Sequence, residues 1–256
     1  MIMIKNKASI NKMAEAGRRL SLVFSSVIPA LRSGVTTAAL DDLIATELRK
    51  QGLLSRSKGY KGYQHVSCIS VNDEVVHGVP SDKKVLKTGD IVTIDVCASW
   101  KGYCADMARS FVIESLAESR CQELIAAAES SLKQGIACAR VGNRLSDISA
   151  AIQQEVEARG CSVIRDFAGH GIGKQMHEDP EILNYGKPGK GPVLRPGMTF
   201  ALEPMITEGS HKVYIAEDGW TVKTEDCSLA AHVEDTIVIT EGEPRVLTRP
   251  ISEKGR

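Results

Sequence analysis

The sequence has no excess of charge of either sign. Its 256 residues include 32 Lys and Arg and 32 Asp and Glu, so the formal net charge at pH 7 is zero. The chain therefore has neither a basic excess that would indicate a nucleic-acid partner nor an acidic tail that would indicate a basic one. We predict no direct nucleic-acid role, although net charge does not describe local patches.

The cysteines lack a recognisable pairing pattern. Seven are present, and no two of them form a CxxC motif. A disulfide framework or a zinc knuckle is therefore not expected. Residues 1–7 have no apolar run of signal-peptide length, and no stretch approaches the ~20 apolar residues of a membrane span. These absences predict a reduced, soluble, cytoplasmic protein with no membrane partner.

Hydrophobic residues make up 43% of the chain, enough to bury a sizeable core. Apolar spacing and cap residues then predict helices and strands. In chain order these are a helix capped by Ser9 with apolar residues up to Leu31, a helix from Thr36 or Thr37 ended by Gly52, strands at 67–71 and 91–96, and helices through 121–132 and about 146–159. The chain is therefore of the α+β class.

The two halves of the chain resemble each other. A single offset of 108 residues aligns LKTGDIVTID (86–95) with LRPGMTFALE (194–203) without a gap. The same offset pairs Gly34 with Gly142, Gly52 with Gly160, Pro80 with Pro188 and Asp95 with Glu203. We interpret this as a duplicated α+β unit about a pseudo-twofold axis, one domain over 1–256 with halves of roughly 1–115 and 116–256. Two unrelated halves with ordinary turn signals remain the alternative.

Acidic residues stand where strand cores normally carry apolar side chains. Asp95 ends an apolar run, and Asp106 lies in the second arm of a hairpin predicted around residues 100–102. If the turn is centred on 101–102, Asp95 faces residue 108; if it is centred on 100–101, Asp95 faces Asp106. Both registers place the two carboxylates on one face. Their repulsion requires a shared proton, a basic partner or a cation.

Three further polar groups border hydrophobic sequence in the second half of the chain: His170 in the run AGHGIG, Glu203 after a strand-like run, and Glu234 before another. Each residue alone is better explained as an ordinary loop or strand-end residue. Four carboxylates and one imidazole together are a good ligand set for two divalent transition ions. AGHGIG matches neither nucleotide-binding glycine motif, and no GxSxG is present. The set therefore favours a metal centre that draws ligands from both halves.

A family resemblance is carried by these segments: SCISVNDEVVHGVP (67–80), DIVTIDV (90–96), GYCADMARSF (102–111), GHGIGKQMHEDP (169–180), MTFALEP (198–204) and GWTVKTEDCSLAAHVEDTIVIT (219–240). From about Ile4 to Thr248 the sequence resembles bacterial type I methionine aminopeptidases, which form subfamily A of metallopeptidase family M24. The resemblance implies the "pita-bread" (creatinase/aminopeptidase) fold, in which an antiparallel sheet core is covered by helices. It also implies removal of the first methionine from proteins with a small second residue, by a metal-bound hydroxide.

The resemblance further implies a role for individual residues. The metal ligands would be Asp95, Asp106, His170, Glu203 and Glu234, with Asp106 and Glu234 bridging the two ions. Glu203, as proton acceptor and donor, would be catalytic together with His77 and His177, which also contact the substrate. The remaining substrate-binding residues, around the methionine side chain, would be Tyr60, Tyr63, Cys68 and Trp220.

Four residues depart from the pattern of the relatives: Ser57, Gln64, Met176 and Asp235 stand where those carry Cys, Pro, Phe and His. None of them is a metal ligand. The resemblance implies Co, Mn, Fe or Zn as metals, and a monomer that acts on N-terminal Met peptides and nascent chains. Nascent chains are met at the ribosome, although no motif indicates contact with it. Two other functions stay open: an X-Pro peptidase of the same fold, and a non-catalytic binding protein.

Overall fold

A computed structural model describes residues 2–114 and 119–249 of the chain. Within those ranges it has four α-helices: α1 (Lys7–Val27), α2 (Thr37–Lys50), α3 (Arg120–Cys138) and α4 (Leu145–Ala158). None of these described helices is both long and apolar enough to cross a membrane. The seven cysteines are all free thiols, as their number and spacing predicted.

The strands are short except for one long hairpin. In chain order they are β1 (Leu54–Ser55), β2 (Cys68–Val71), β3 (Glu74–Val76), β4 (Ile91–Trp100), β5 (Tyr103–Val112), β6 (Ser162–Val163), β7 (Gly169–Gly171), β8 (Glu178–Ile182), β9 (Thr199–Leu202), β10 (Met205–Thr207), β11 (Val213–Ile215), β12 (Val222–Thr224), β13 (Ala230–His232), β14 (Glu234–Val238) and β15 (Arg245–Val246).

The central sheet has nine strands and contains both halves of the chain. Its order is β1-β4-β5-β14-β9-β7-β8, with β2 also paired to β4 and β15 to β14. Two three-stranded sheets, β13-β10-β6 and β11-β12-β3, flank it, and the strand pairs in all three sheets are antiparallel. The pairing of β5 with β14 joins the two halves edge to edge. This antiparallel α+β architecture confirms the predicted fold class.

Helix α1 begins two residues before the predicted cap. The prediction that Ser9 caps this helix was wrong: the side chain of Asn6 is the cap, and it accepts a hydrogen bond from the Ser9 amide at 2.9 Å. An N-cap side chain bonds the N–H of the second or third helical residue, so Ser9 is the donor rather than the cap. The helix also ends earlier than its apolar pattern indicated, at Val27, because a short 3₁₀ turn containing Pro29 follows.

Helices α1 and α2 cover one half of the sheet, and α3 and α4 cover the other. Leu20 of α1 and Ile44 of α2 pack with strand β4 in one buried cluster. Leu124 of α3 and Ile148 of α4 pack with Phe200 of β9 in a second. The predicted start of α2 is confirmed: the helix begins at Thr37, and the side chain of its N-cap, Thr36, accepts a hydrogen bond from the Ala39 amide.

The duplication is visible in the backbone hydrogen bonding. Two isolated bridges, Thr36 with Val85 and Arg144 with Val193, are related by the same offset of 108 residues that the sequence showed. The glycines that end α2 and α4, Gly52 and Gly160, both have positive φ, 63° and 73°. A shared bridge and shared helix ends favour a true repeat over two unrelated halves. The predicted boundary between the halves, at 115–116, lies outside the described residues.

The long hairpin β4–β5 selects one of the two registers that the sequence left open. Lys101 and Gly102 both have positive φ, 46° and 77°, as a two-residue type I′ turn requires. Asp95 is therefore opposite Ala108. Asp106 is two residues along β5 from Ala108, and so lies on the same face of the sheet as Asp95.

Candidate metal centre

The five predicted ligands lie on one face of the central sheet. Asp95 on β4 and Glu234 on β14 lie on either side of Ala108, each as its ladder partner. His170 on β7 is the ladder partner of Ala201 on β9, and Glu203 follows two residues after Ala201. Alternation along the strands turns these side chains to the same side as Asp106. The predicted ligands thus come from both halves of the repeat.

All five side chains line one cavity of about 1050 Å³. The donor atoms of Asp106, His170 and Glu234 lie within 4.8 Å of one another. Nε2 of His170 is 3.3 Å from Oε1 of Glu203. Oε1 of Glu234 is buried and has no hydrogen-bond partner among the described residues. An unpartnered buried carboxylate oxygen beside other donors is what a cation site requires.

The carboxylates are held close together against their mutual repulsion. Burial raises the pKa of Asp95, Glu203 and Glu234 well above the usual value, and the nearby charge of Asp106 raises each further. Burial also raises the pKa of Asp106 to about 6, although hydrogen bonds from Cys97 and from the Met107 amide lower it. Divalent ions would neutralise this cluster, so the donor set fits such ions chemically.

The imidazoles of the cavity are held neutral. Burial, together with a smaller contribution from the nearby His177, lowers the pKa of His170 and of His77 to about 4. A neutral imidazole can bind a metal or accept a hydrogen bond, whereas its protonated form cannot. Nδ1–H of His170 donates to the carbonyl of Gly171, 2.9 Å away, which leaves Nε2 facing the carboxylates.

The glycines around His170 let strands approach closely. A Cβ on Gly171 would lie 2.0 Å from the carbonyl oxygen of Asp179, and one on Gly169 would lie 2.5 Å from that of Ala201. No real side chain tolerates such distances, so the run AGHGIG serves strand packing. This agrees with the expectation that it is not a phosphate loop.

A divalent metal should stabilise the protein more at about pH 7.5 than at about pH 5.5. The folded-state pKa values of the four carboxylates lie above their unfolded values, so the metal-free fold binds protons tightly and loses stability as pH rises through about 6. Metal must displace those protons, and it does so more easily at the higher pH. Melting temperatures with Mn²⁺ and with EDTA would measure the difference. A metal-induced shift that is equal or larger at the lower pH would contradict the assignment.

The predicted substrate residues lie in the same cavity. His77 is there with a left-handed backbone, φ 58°, which is unusual outside glycine and frequent at functional sites. The ring of His177 packs edge-on against His170, with centroids 4.4 Å apart, and its Nδ1 is 3.2 Å from the hydroxyl of Tyr60. His77 and His177 are therefore positioned beside the candidate metal ligands.

The predicted methionine-pocket residues form an adjoining wall. Tyr63 is buried, packs edge-on against Trp220 at 5.0 Å, and donates a hydrogen bond from its hydroxyl to the carbonyl of Ser67. Cys68 on β2 lies opposite Asp95 on β4. Ser57 and Met176, two of the departures from the family pattern, line the cavity as well.

The loop that carries His177 is tied to the start of the chain. Nζ of Lys5 is 2.5 Å from Oε2 of Glu178, and both side chains are largely buried. The Lys5 amide also donates to the carbonyl of Gly197. This ion pair joins the N-terminal segment to the rim of the cavity.

Asp235, the departure next to Glu234, has a structural explanation. Its side chain is fully buried and accepts hydrogen bonds from Arg109 at 2.6 Å, Thr248 at 2.7 Å and Arg249 at 2.8 Å. Arg109 also donates to the backbone carbonyl of Glu234. The charge of Asp235 therefore ties the C-terminal segment to the strand that presents Glu234. The sequence analysis identified the substitution and did not foresee this network.

His232 is a further cavity residue that the sequence analysis missed. It is buried, and burial together with His77 and Arg109 lowers its pKa to about 3. The signal was present, because alternation along an extended chain places residue 232 on the same side as Glu234.

A sheet that brings four carboxylates and a histidine together in one cavity is typical of a metallopeptidase. Residues 11–241 match metallopeptidase family M24, and the chain belongs to that family. A methionine aminopeptidase of Clostridium acetobutylicum is 45% identical, over 97% of this chain and 99% of its own length. The chain thus belongs to the methionine aminopeptidases within family M24, and it is a metal-dependent hydrolase.

Solved structures confirm the predicted fold. The methionine aminopeptidase of Thermotoga maritima matches with a TM-score of 0.95 at 43% identity, covering 97% of this chain and 100% of that one. The prolidase of Pyrococcus furiosus matches with a TM-score of 0.78 at 23% identity, covering 96% of this chain and 65% of that one. The second likeness is one of fold alone. The predicted resemblance to methionine aminopeptidases is therefore confirmed.

Proposed function

We propose that this protein removes the N-terminal methionine from peptides and nascent chains whose second residue is small. The observation that carries the proposal is the convergence of donors from both halves of the repeat in one cavity that also holds His77 and His177. Membership of the methionine aminopeptidases supports the choice of methionine at the first position.

The ligands of two divalent ions are, in this proposal, Asp95, Asp106, His170, Glu203 and Glu234. Asp106 and Glu234 would be the two acids that both ions share. Their donor atoms lie within 4.8 Å of each other and of His170, and each is an electrostatic neighbour of other acids of the set. When bound, the ions lower the pKa of a water and polarise the scissile carbonyl. Co, Mn, Fe and Zn all accept such an oxygen and nitrogen donor set.

Glu203 is the proposed proton acceptor. It lies just past the end of β9, is buried, and has a raised pKa, so it holds a proton more readily than an exposed glutamate. A general base of this kind takes a proton from water and returns it to the leaving amine. His77 and His177 would bind the peptide beside it, since a neutral imidazole donates one hydrogen bond and accepts another. His177 is oriented for this by Tyr60.

The side chain of the methionine would enter the wall formed by Tyr60, Tyr63, Cys68 and Trp220. Thioether sulfur packs favourably against aromatic edges. The edge-on pair of Tyr63 and Trp220 offers such edges, and the Tyr63 hydroxyl is already bonded within the protein. The wall therefore favours an unbranched apolar side chain.

The proposal also covers the organisation of the molecule. Residues 1–256 would be one catalytic domain, because strands of both halves share the nine-stranded sheet. We expect a cytoplasmic monomer. Two separate unfolding transitions in urea would contradict the single domain, and a stable dimer in sedimentation equilibrium would contradict the monomer.

The experiment that tests the function is a peptide panel. Purified protein is stripped of metal, reconstituted with Co²⁺, Mn²⁺, Fe²⁺ or Zn²⁺ in turn, and offered Met-Ala-Ser, Met-Leu-Ser, Leu-Ala-Ser and an X-Pro dipeptide. We expect metal-dependent release of methionine from Met-Ala-Ser and little turnover of the others. Preferred cleavage of the X-Pro dipeptide, or no cleavage with any metal, would refute the proposal.

A further inference from the structure

His232 lies at the end of β13, opposite Met205 of β10, and lines the same cavity as the candidate metal ligands. The residue is 2% exposed. Neither ring nitrogen has a hydrogen-bond partner in the part of the chain that the structure describes. The backbone of His232 is well anchored, since the Ser110 hydroxyl donates to its carbonyl at 2.8 Å. The ring is therefore held in place without a polar contact of its own.

The surroundings of the His232 ring are mostly apolar and offer few hydrogen-bond partners for its nitrogens. Strands β3, β10 and β13 contribute Val76, Met205 and Ala230 to one buried apolar cluster, and Phe167 packs against it. A buried polar group left without a hydrogen bond costs about 1–3 kcal/mol, whereas an apolar side chain there would cost nothing of the kind. An imidazole at this position therefore destabilises the folded state, unless a ligand bound in the cavity forms a hydrogen bond with it.

The chemistry of a methionyl peptide indicates which part of the peptide would form a hydrogen bond with the His232 ring. The methionine side chain is apolar apart from a weakly accepting sulfur. The main chain, in contrast, offers strong donors and acceptors that every peptide substrate shares. His232 and His77 line the same cavity, and the ring of His77 packs edge-on against Phe167, with centroids 5.5 Å apart. His77 is already a candidate for main-chain contact. Both histidines could therefore contact the main chain of a peptide bound in this cavity.

We propose that His232 is a further substrate-binding residue, whose ring nitrogens form a hydrogen bond with the main chain of the bound peptide. The inference rests on the proposed function, since it concerns the same cavity and the same class of substrate. It differs from two other roles for a buried histidine, an additional metal ligand and a structural polar group. These roles predict different effects of substitution on metal affinity and on stability.

Two substitutions separate these roles. His232→Leu removes both ring nitrogens and keeps an apolar side chain, whereas His232→Gln keeps one donor and one acceptor. His211→Leu is the matched control, since His211 is not among the residues lining the cavity. In Mn²⁺-loaded protein with Met-Ala-Ser, we expect His232→Leu to raise KM about tenfold, and His232→Gln to stay within about threefold of the parent.

Two measurements made without substrate complete the test. The metal-free His232→Leu protein should melt at a temperature no lower than the parent, because an unpartnered buried polar group has been removed. Its Mn²⁺ affinity, measured by calorimetric titration, should match that of the parent. If His232→Leu does not fold, a His232→Gln protein with parental KM and Mn²⁺ affinity still supports the proposal.

Three outcomes would overturn the inference. An unchanged KM in His232→Leu excludes a substrate contact, weakened Mn²⁺ binding assigns the ring to the metal, and a lowered melting temperature with a parental KM assigns it to the scaffold. Failure of the parent protein to cleave Met-Ala-Ser is a separate result, because it refutes the proposed function before any variant is compared.

Discussion

Replacing Asp106 with asparagine should reduce kcat/KM for Met-Ala-Ser by more than about 10³-fold, which corresponds to about 4 kcal/mol of transition-state stabilisation. Asparagine keeps the shape of the side chain and removes the charge that the cluster shares. The backbone of Asp106 is held on both sides by the hydroxyl of Thr236, so the position should not move. The loss of kcat/KM would therefore result from removal of a metal ligand and not from a change in the fold.

The same variant should be more stable than the parent when metal is absent. The negative charge of Asp106 raises the pKa of Asp95, Glu203 and Glu234. A neutral asparagine removes this electrostatic repulsion among the buried carboxylates. Added Mn²⁺ should then raise the melting temperature much less than in the parent. Asp82→Asn, at an exposed position, is the control and should change neither property. Parental turnover by Asp106→Asn with metal supplied would end the site assignment.

Replacing Asp235 with asparagine should destabilise the fold by about 3 kcal/mol, because it leaves the buried part of an ion-pair network without its anion. Arg109 is mostly buried, whereas Arg249 is 55% exposed and can be solvated, so the loss comes chiefly from Arg109. Urea unfolding of the metal-free protein would measure it. We also expect weaker metal binding, since Arg109 holds the backbone of Glu234.

The control for this prediction is an ion pair of similar length on the surface. Arg140 and Glu243 are 2.5 Å apart, with side chains 47% and 73% exposed. Exposed pairs contribute less than about 1 kcal/mol, so Glu243→Gln should hardly change stability. An Asp235→Asn protein that is as stable as Glu243→Gln would show that the buried network contributes nothing beyond a surface pair.

The relation between sequence and structure differs from one part of the site to another. Asp95 and Asp106 could be paired from sequence because alternation in a hairpin is local, and either register kept them on one face. The start of α1 was misplaced at Ser9 because both Asn6 and Ser9 are suitable caps, and only the geometry of the first turn separates them. Asp235 was recognised as unusual, yet its partners Arg109 and Arg249 lie in other segments whose approach depends on the order of strands in the sheet.

The sequence by itself determined the donor types, the repeat that relates Asp95 to Glu203, and the family, because these depend on residue identity and spacing along the chain. Only the tertiary structure decided that β5 and β14 lie side by side. This pairing places Glu234 and Asp95 on opposite sides of Ala108, each as its ladder partner. The tertiary structure also decided that His232 lies buried in the cavity without a polar partner among the described residues. Such facts depend on long-range strand pairing, which local periodicity does not encode.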